Sequence, residues 1–219
     1  MKTYVVVEGH GEVQAVLNLL TRLRVDLKLR VRPWSEPIRG RQLLNNEGIR
    51  RYAEAIRARD DCDGLLVLCD DEDGCPKEDA PRLAEALSVL DLPFPAAVVL
   101  AYREYESLFL PCIPLMAGKK LAGDSGTLRP GLSTAASWIG PFEDKRDVKG
   151  WLSSQMSPGR IYKPRLDQLP LTRLVDFEVV RAAKLPWFAS LENALRAIDA
   201  GQPGSVYPAR YGQGGQGSP

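Results

Sequence analysis

The sequence predicts an α/β fold built on a mostly parallel sheet of about four strands, and three observations predict it. Short β-branched or continuous apolar runs recur at residues 3–8, 64–69 and 96–100. Segments whose apolar residues repeat at helical spacing lie between them. Glycine and proline punctuate the joints, as at Gly9-His10-Gly11 and Pro76. Parallel neighbours need crossover connections, so strands alternating with helices imply a parallel sheet with helices on both faces.

The first strand, residues 3–8, reads Thr-Tyr-Val-Val-Val-Glu and ends on a carboxylate. The helix after it opens at Glu12, where a negative charge suits the helix dipole. Val13, Val16, Leu17 and Leu20 predict its buried stripe. Alternation of apolar and basic residues over 27–32 predicts a second strand, ended by Pro33. Ile49, Tyr52, Ala53 and Ile56 predict a helix over 47–59. Gly64-Leu65-Leu66-Val67-Leu68-Cys69 has the unbroken apolar pattern of a central parallel strand. Pro76 then precedes a helix with Leu83, Leu87 and Leu90 on one face, and Ala96-Ala97-Val98-Val99-Leu100 supplies the fourth strand. This βαβαβαβ unit spans residues 1–118.

Residues 119–142, rich in Gly, Ser, Thr and Pro, read as a loop or long connection. Helices are predicted at about 144–156, 172–183 and 187–199, making 143–200 a mainly helical C-terminal extension packed on the core. The Gly-, Gln-, Ser- and Pro-rich residues 201–219 have too little apolar surface to order themselves and are expected to be a flexible tail.

A hydrophobic share of 44% in 219 residues is enough for a buried core and excludes a disordered chain. A net charge of +1 gives no global attraction to nucleic acid, so any such binding must come from local patches. There is no run of 18 apolar residues and no signal-peptide pattern at the N-terminus, so a cytoplasmic protein without a membrane partner is expected. Cys62, Cys69, Cys75 and Cys112 form no C-x-x-C pair, and His10 is the sole histidine, which argues against a zinc site.

The acids carry the chemistry. Seven lie between Asp60 and Asp73 with no base among them, and Asp70, Asp71, Glu72 and Asp73 follow directly on a buried strand. They therefore sit at its carboxyl end, the edge where open α/β sheets bind ligands. Glu8 ends the first strand in the same way, and Glu104 and Glu106 follow the fourth. Adjacent carboxylates repel one another, and a hard cation such as Mg²⁺ relieves that repulsion. The alternative is a solvated acidic loop that starts the next helix, with Glu104 and Glu106 as ordinary helix-start acids.

Val7-Glu8-Gly9 with Glu12, followed some sixty residues later by an apolar strand and a D-x-D-like cluster, resembles the Toprim domain of topoisomerases, primases and OLD-type nucleases. Leu68-Cys69-Asp70-Asp71-Glu72-Asp73-Gly74-Cys75-Pro76 and Arg103-Glu104-Tyr105-Glu106-Ser107-Leu108-Phe109-Leu110 are similar to stand-alone, OLD-like Toprim proteins of bacteria, often encoded beside an AAA or ABC-type ATPase. Val148-Lys149-Gly150-Trp151-Leu152, Tyr162-Lys163-Pro164 and the stretch 171–180 extend the resemblance over most of residues 1–199.

The resemblance implies a nuclease of DNA or RNA using one or two Mg²⁺ or Mn²⁺ ions, acting as effector of a two-component antiphage system with an ATPase partner. It implies Glu8, Asp70 and Glu72 as catalytic or metal-binding carboxylates, with Glu12, Asp73, Glu104 and Glu106 in the wider ligand set. The second acid of the D-x-D pattern is Glu72, so either Glu72 or Asp73 takes that place. Lys149, Lys163 and Arg165 would contact phosphate. Two other readings stay open: a non-catalytic module that regulates an ATPase or binds nucleic acid, and a DNA repair or recombination factor. A homo-oligomer is compatible with each.

Nine basic residues against five acids over residues 144–184 form either a nucleic-acid patch or a solvated helical surface. Trp151, Tyr162 and Trp187 are base-stacking candidates or core aromatics, and His10 is a phosphate or metal contact or a turn residue. Neither G-x-x-x-x-G-K-[ST] nor a complete G-x-G-x-x-G occurs, so no ATPase activity is expected of this chain.

Overall fold

The structure, a computed structural model, describes residues 2–31, 33–123, 126–143 and 145–209. The first half runs β1 (Lys2–Val7), α1 (Glu12–Asp26), β2 (Ile38–Arg39), α2 (Asn46–Arg57), β3 (Cys62–Asp71), α3 (Pro76–Ser88), β4 (Ala96–Tyr102) and a 3-10 helix (Tyr105–Cys112). The second runs α4 (Ile113–Met116), β5 (Lys120–Ala122), β6 (Leu128–Pro130), α5 (Val148–Gln155), α6 (Pro164–Thr172), α7 (Phe177–Ala182), α8 (Pro186–Ala200) and β7 (Val206–Tyr207).

The central sheet is parallel throughout, in the order β2-β1-β3-β4-β7. Val5 lies beside Leu66 and Leu66 beside Ala97, so Val5, Val7, Leu66, Leu68, Ala97 and Val99 face α1 and α8. Val6, Val67 and Val98 are likewise in register and face α2 and α3. Both faces are covered, which explains the unbroken apolar runs of β3 and β4. Each fully buried Val or Leu contributes about 1.5–3 kcal/mol. From β1 the chain passes first to one side (β2) and then to the other (β3). The crevice where strand order reverses lies at the carboxyl ends of β1 and β3, where such sheets bind ligands.

The second strand is not at residues 27–32. There Lys28 turns back at φ +54°, its N–H and that of Leu29 bond the last carbonyls of α1, and Leu27 and Leu29 pack on the core beside α1. That packing is the source of the alternation. Arg32 lies outside the described residues. The edge strand is the two-residue β2, beyond Pro37.

Residues 119–142 are not only a connection, since β5 and β6 pair antiparallel within them. In the extension, the predicted 172–183 helix starts at Phe177, capped by Asp176 on the Glu178 and Val179 N–H groups. Before it stands an unpredicted helix, α6, whose Pro164 sits at the first turn, where no donor is lost. Its Pro170 leaves the Leu166 carbonyl without its helical donor, and the Arg129 guanidinium bonds that carbonyl instead. The expected tail contributes β7, with Ala96 and Ala97 paired to Val206 and Tyr207. The tail's residues 210–219 lie outside the described residues. The C-terminal helices share one core with the sheet, from Val5 to Ile198. No helix among the described residues is long and apolar enough to cross a membrane.

Candidate active site

The β1–α1 turn is held by its own carboxylate. Glu12 Oε2 accepts the N–H groups of Glu8 at 3.2 Å and Gly9 at 3.1 Å, closing the turn from the first residue of the helix. A Cβ at Gly9 would stand 2.5 Å from Glu12 Oε1, so a larger residue there must displace that carboxylate. Glu8 is left exposed at the strand end. Burial first, then Glu12 and Glu72, pushes its carboxyl above the ordinary value.

β3 carries the acidic cluster out of the sheet. Strand alternation sends Asp70 to the α1 face and Asp71 to the α3 face. Asp70 Oδ1 accepts the Tyr105 N–H at 2.7 Å. Its carboxyl lies well above the usual range through burial and the neighbouring Glu12, with Lys149 opposing. Asp71 Oδ1 accepts the Gly74 N–H at 3.0 Å, while its buried Oδ2 has no hydrogen-bond partner among the described residues. The Glu72 carboxylate is exposed and makes no hydrogen bond or ion pair among the described residues. Asp73 pairs at the surface with Arg146 at 2.8 Å.

The third wall is held by two residues in left-handed backbone. Arg103, at φ +67°, follows β4; its guanidinium donates to the Glu72 carbonyl and lies over the Tyr102 ring. Asp147, at φ +53°, caps α5 through the Gly150 N–H at 2.8 Å and so places Lys149. Such conformations cost about 1–3 kcal/mol each and concentrate at functional sites.

Lys149 is the hub. Its ammonium lies 3.1 Å from Asp70 Oδ2, 3.1 Å from Glu104 Oε1 and 3.7 Å from Glu106 Oε2, and its N–H donates to Glu104 Oε2 at 3.1 Å. Burial pulls its pKa down, and the three carboxylates more than reverse that. Glu106 is fully buried, with Oε1 accepting from Tyr162 at 2.8 Å and Gln168 at 3.2 Å. Burial raises it to about 7, against the pull of Lys149.

These walls enclose an open cleft of about 560 Å³, lined by Glu8, Glu12, Asp70, Asp71, Glu72 and Asp73, with Lys149 as the cation among its lining residues. Among the described residues no three His, Cys, Asp or Glu side chains close on a common point as a finished metal cage. The donor set fits a hard cation in kind. The acids that line the cleft offer only carboxylate oxygens, they outnumber the cation among them, and Asp71 Oδ2 and the Glu72 carboxylate lack partners among the described residues.

Of the candidate ligands, Asp70, Glu104 and Glu106 meet at Lys149, and Glu8 and Glu72 stand on the open side. Neither Glu104 nor Glu106 lines the cleft. The Lys149 ammonium is taken by carboxylates, so it is not the open phosphate contact the sequence suggested. Lys163 and Arg165 lie apart, at the start of α6, with Arg165 lining a second concavity beside His10. Tyr162 and Trp187 are core residues, bonded to Glu106 and to Ser107 (2.8 Å), and Trp151 packs edge-on against Trp138. Sequence reasoning missed Gln168, Asp147 and the organising role of Lys149. No local pattern announces a contact between residues 79 positions apart, as Lys149 and Asp70 are.

No family model matches the chain, and comparison with curated proteins and with solved structures finds no match either.

Proposed function

We propose that the chain is a nuclease that cleaves phosphodiester bonds with bound Mg²⁺ or Mn²⁺. The observation that carries this reading is the open acidic cleft at the reversal of strand order, to which β1 brings Glu8 and β3 brings Asp70, Asp71 and Glu72. Asp70 and Glu72 would hold the cation. Glu72 suits the second position better than Asp73, whose carboxylate is paired with Arg146. When bound, the metal activates a nucleophile and neutralises charge building on the phosphoryl oxygens.

The side chains have separate tasks. Glu8, exposed and with a raised pKa, accepts the proton of the attacking water or hydroxyl. Lys149 fixes the rotamer of Asp70 through Glu104 and Glu106 behind it. The same engagement of Glu104 and Glu106 favours one ion over two. The motif resemblance further supports an AAA or ABC-type ATPase partner and a role as effector of an antiphage system.

One observation favours a second reading, a non-catalytic module that regulates an ATPase or binds nucleic acid: an ammonium already sits among three of the carboxylates. Labelled DNA and RNA panels incubated with Mg²⁺ or Mn²⁺, with and without the ATPase, separate the two. Cutting by the wild type that Glu8→Ala and Asp70→Ala both lose establishes the nuclease. Intact substrate in every lane, with the ATPase still bound, supports the module.

A further inference from the structure

Across the β1–α1 turn from the acidic cleft lies a patch of opposite sign. Arg39 is the last residue of β2, so the sheet delivers it to the same edge as Glu8. Its Nε–H donates to the Glu8 carbonyl at 3.1 Å and its Nη1–H to His10 Nε2 at 2.6 Å. A guanidinium has no acceptor, so Nε2 is the bare nitrogen of His10 and Nδ1 carries the ring hydrogen. Arg165, on the first turn of α6, lines with His10, Gly11 and Gln14 a concavity of about 270 Å³.

Among the described residues the side chain of Arg165 has no carboxylate partner, and Arg39 bonds only the Glu8 carbonyl and His10, meeting the Glu8 and Glu12 carboxylates only at longer range. Arg129 on the same wall differs, paired with the buried Asp167 at 3.2 Å. Two guanidiniums without an ion pair beside one histidine repel one another, and an anion relieves that repulsion. The planar fork of a guanidinium matches phosphate oxygens.

We infer that Arg39 and Arg165, with the Nδ1–H of His10, bind a backbone phosphate of the nucleic acid adjacent to the phosphodiester that enters the acidic cleft. This rests on the nuclease reading. The two sites share the turn at residues 8–11: Glu8 and Gly9 line one, His10 and Gly11 the other. A cleft of carboxylates repels a polyanion. A basic site one step along the chain offsets that repulsion and holds the strand over Glu8 and Asp70.

The test is binding of a fluorescein-labelled oligonucleotide to the full chain, by anisotropy, in EDTA and over a series of KCl concentrations. Each of Arg39→Ala and Arg165→Ala should flatten the slope of log affinity against log salt by about 0.7 for a single strand and about 0.9 for a duplex. Arg57→Ala, at the opposite edge of the sheet where its guanidinium bonds the Leu90 carbonyl, should leave the slope unchanged. Wild-type slopes in both rim variants overturn the inference. Arg165 has no bonded partner to lose, so that variant decides the matter even if Arg39→Ala unfolds. Because EDTA removes catalysis, failure here leaves metal-dependent cleavage by the wild type as a separate result. Flattened slopes in a chain that never cuts keep the phosphate site and sink the nuclease.

Discussion

Replacing Lys149 by Met keeps the length of the side chain and removes the one charge that Asp70, Glu104 and Glu106 share. Removing one member of a buried ion pair costs about 3–5 kcal/mol, and because the Lys149 side chain is 32% exposed the low end, about 3 kcal/mol, applies near pH 8. For a chain of this size that is a fall in melting temperature of about 6–12 °C. The loss depends on pH. Glu106 and Asp70 have folded-state pKa values above their unfolded ones, so the folded chain holds more protons and stability declines as pH rises from about 4.5 through about 7 for Glu106. Lys149 offsets that decline by favouring the ionised forms. Without it the decline steepens, so the gap between wild type and variant is wide at pH 8 and narrower at pH 5, where Glu106 is largely protonated. Calorimetry of both proteins at the two pH values reads this directly. An equal gap at both would refute the shared-charge reasoning. Millimolar Mg²⁺ should also raise the variant's melting temperature more than the wild type's.

Further outcomes follow from the same geometry. Gly9→Ala drives a Cβ into Glu12 and should cost about 2–3 kcal/mol in urea unfolding, since two N–H bonds to a carboxylate are lost. A wild-type midpoint would show that Glu12 does not hold the turn. Truncation after Gly201 removes β7 from the edge of β4 and should destabilise by about 2 kcal/mol, because the Ala96 N–H loses the Ser205 carbonyl. An unchanged melt would make β7 a passive appendage. Glu8→Gln relieves repulsion from Glu12 and Glu72, so it should leave the melting temperature unchanged or slightly higher while abolishing metal-dependent cutting. Retained cutting would remove Glu8 from the chemistry.

Three of the five sheet strands were legible because β1, β3 and β4 are buried on both faces and their sequences show it. The two edge strands were not. β2 and β7 are two residues each, too short for a period, and β7 lies in a Gly- and Pro-rich stretch that composition marks as a tail. Pro164 and Pro170 hid α6, whose helicity depends on a tertiary bond from Arg129. Glu8 and Asp70 were legible for a simple reason: a carboxylate just past a buried strand has one place to be. Placing the second strand before Pro33 drew attention away from Arg39, which the true edge strand carries to the site. The Lys149 cluster joins segments far apart in sequence, so only the folded chain reveals it.

Titration of the full chain with Mn²⁺, followed by paramagnetic resonance of the free ion, reads whether the cleft between β1 and β3 binds a divalent cation. Saturable uptake of one ion per chain, lost in Asp70→Asn and weakened in Glu72→Gln, is the predicted result. Absence of saturable uptake by a correctly folded wild type, or uptake that Asp70→Asn leaves intact, would contradict it.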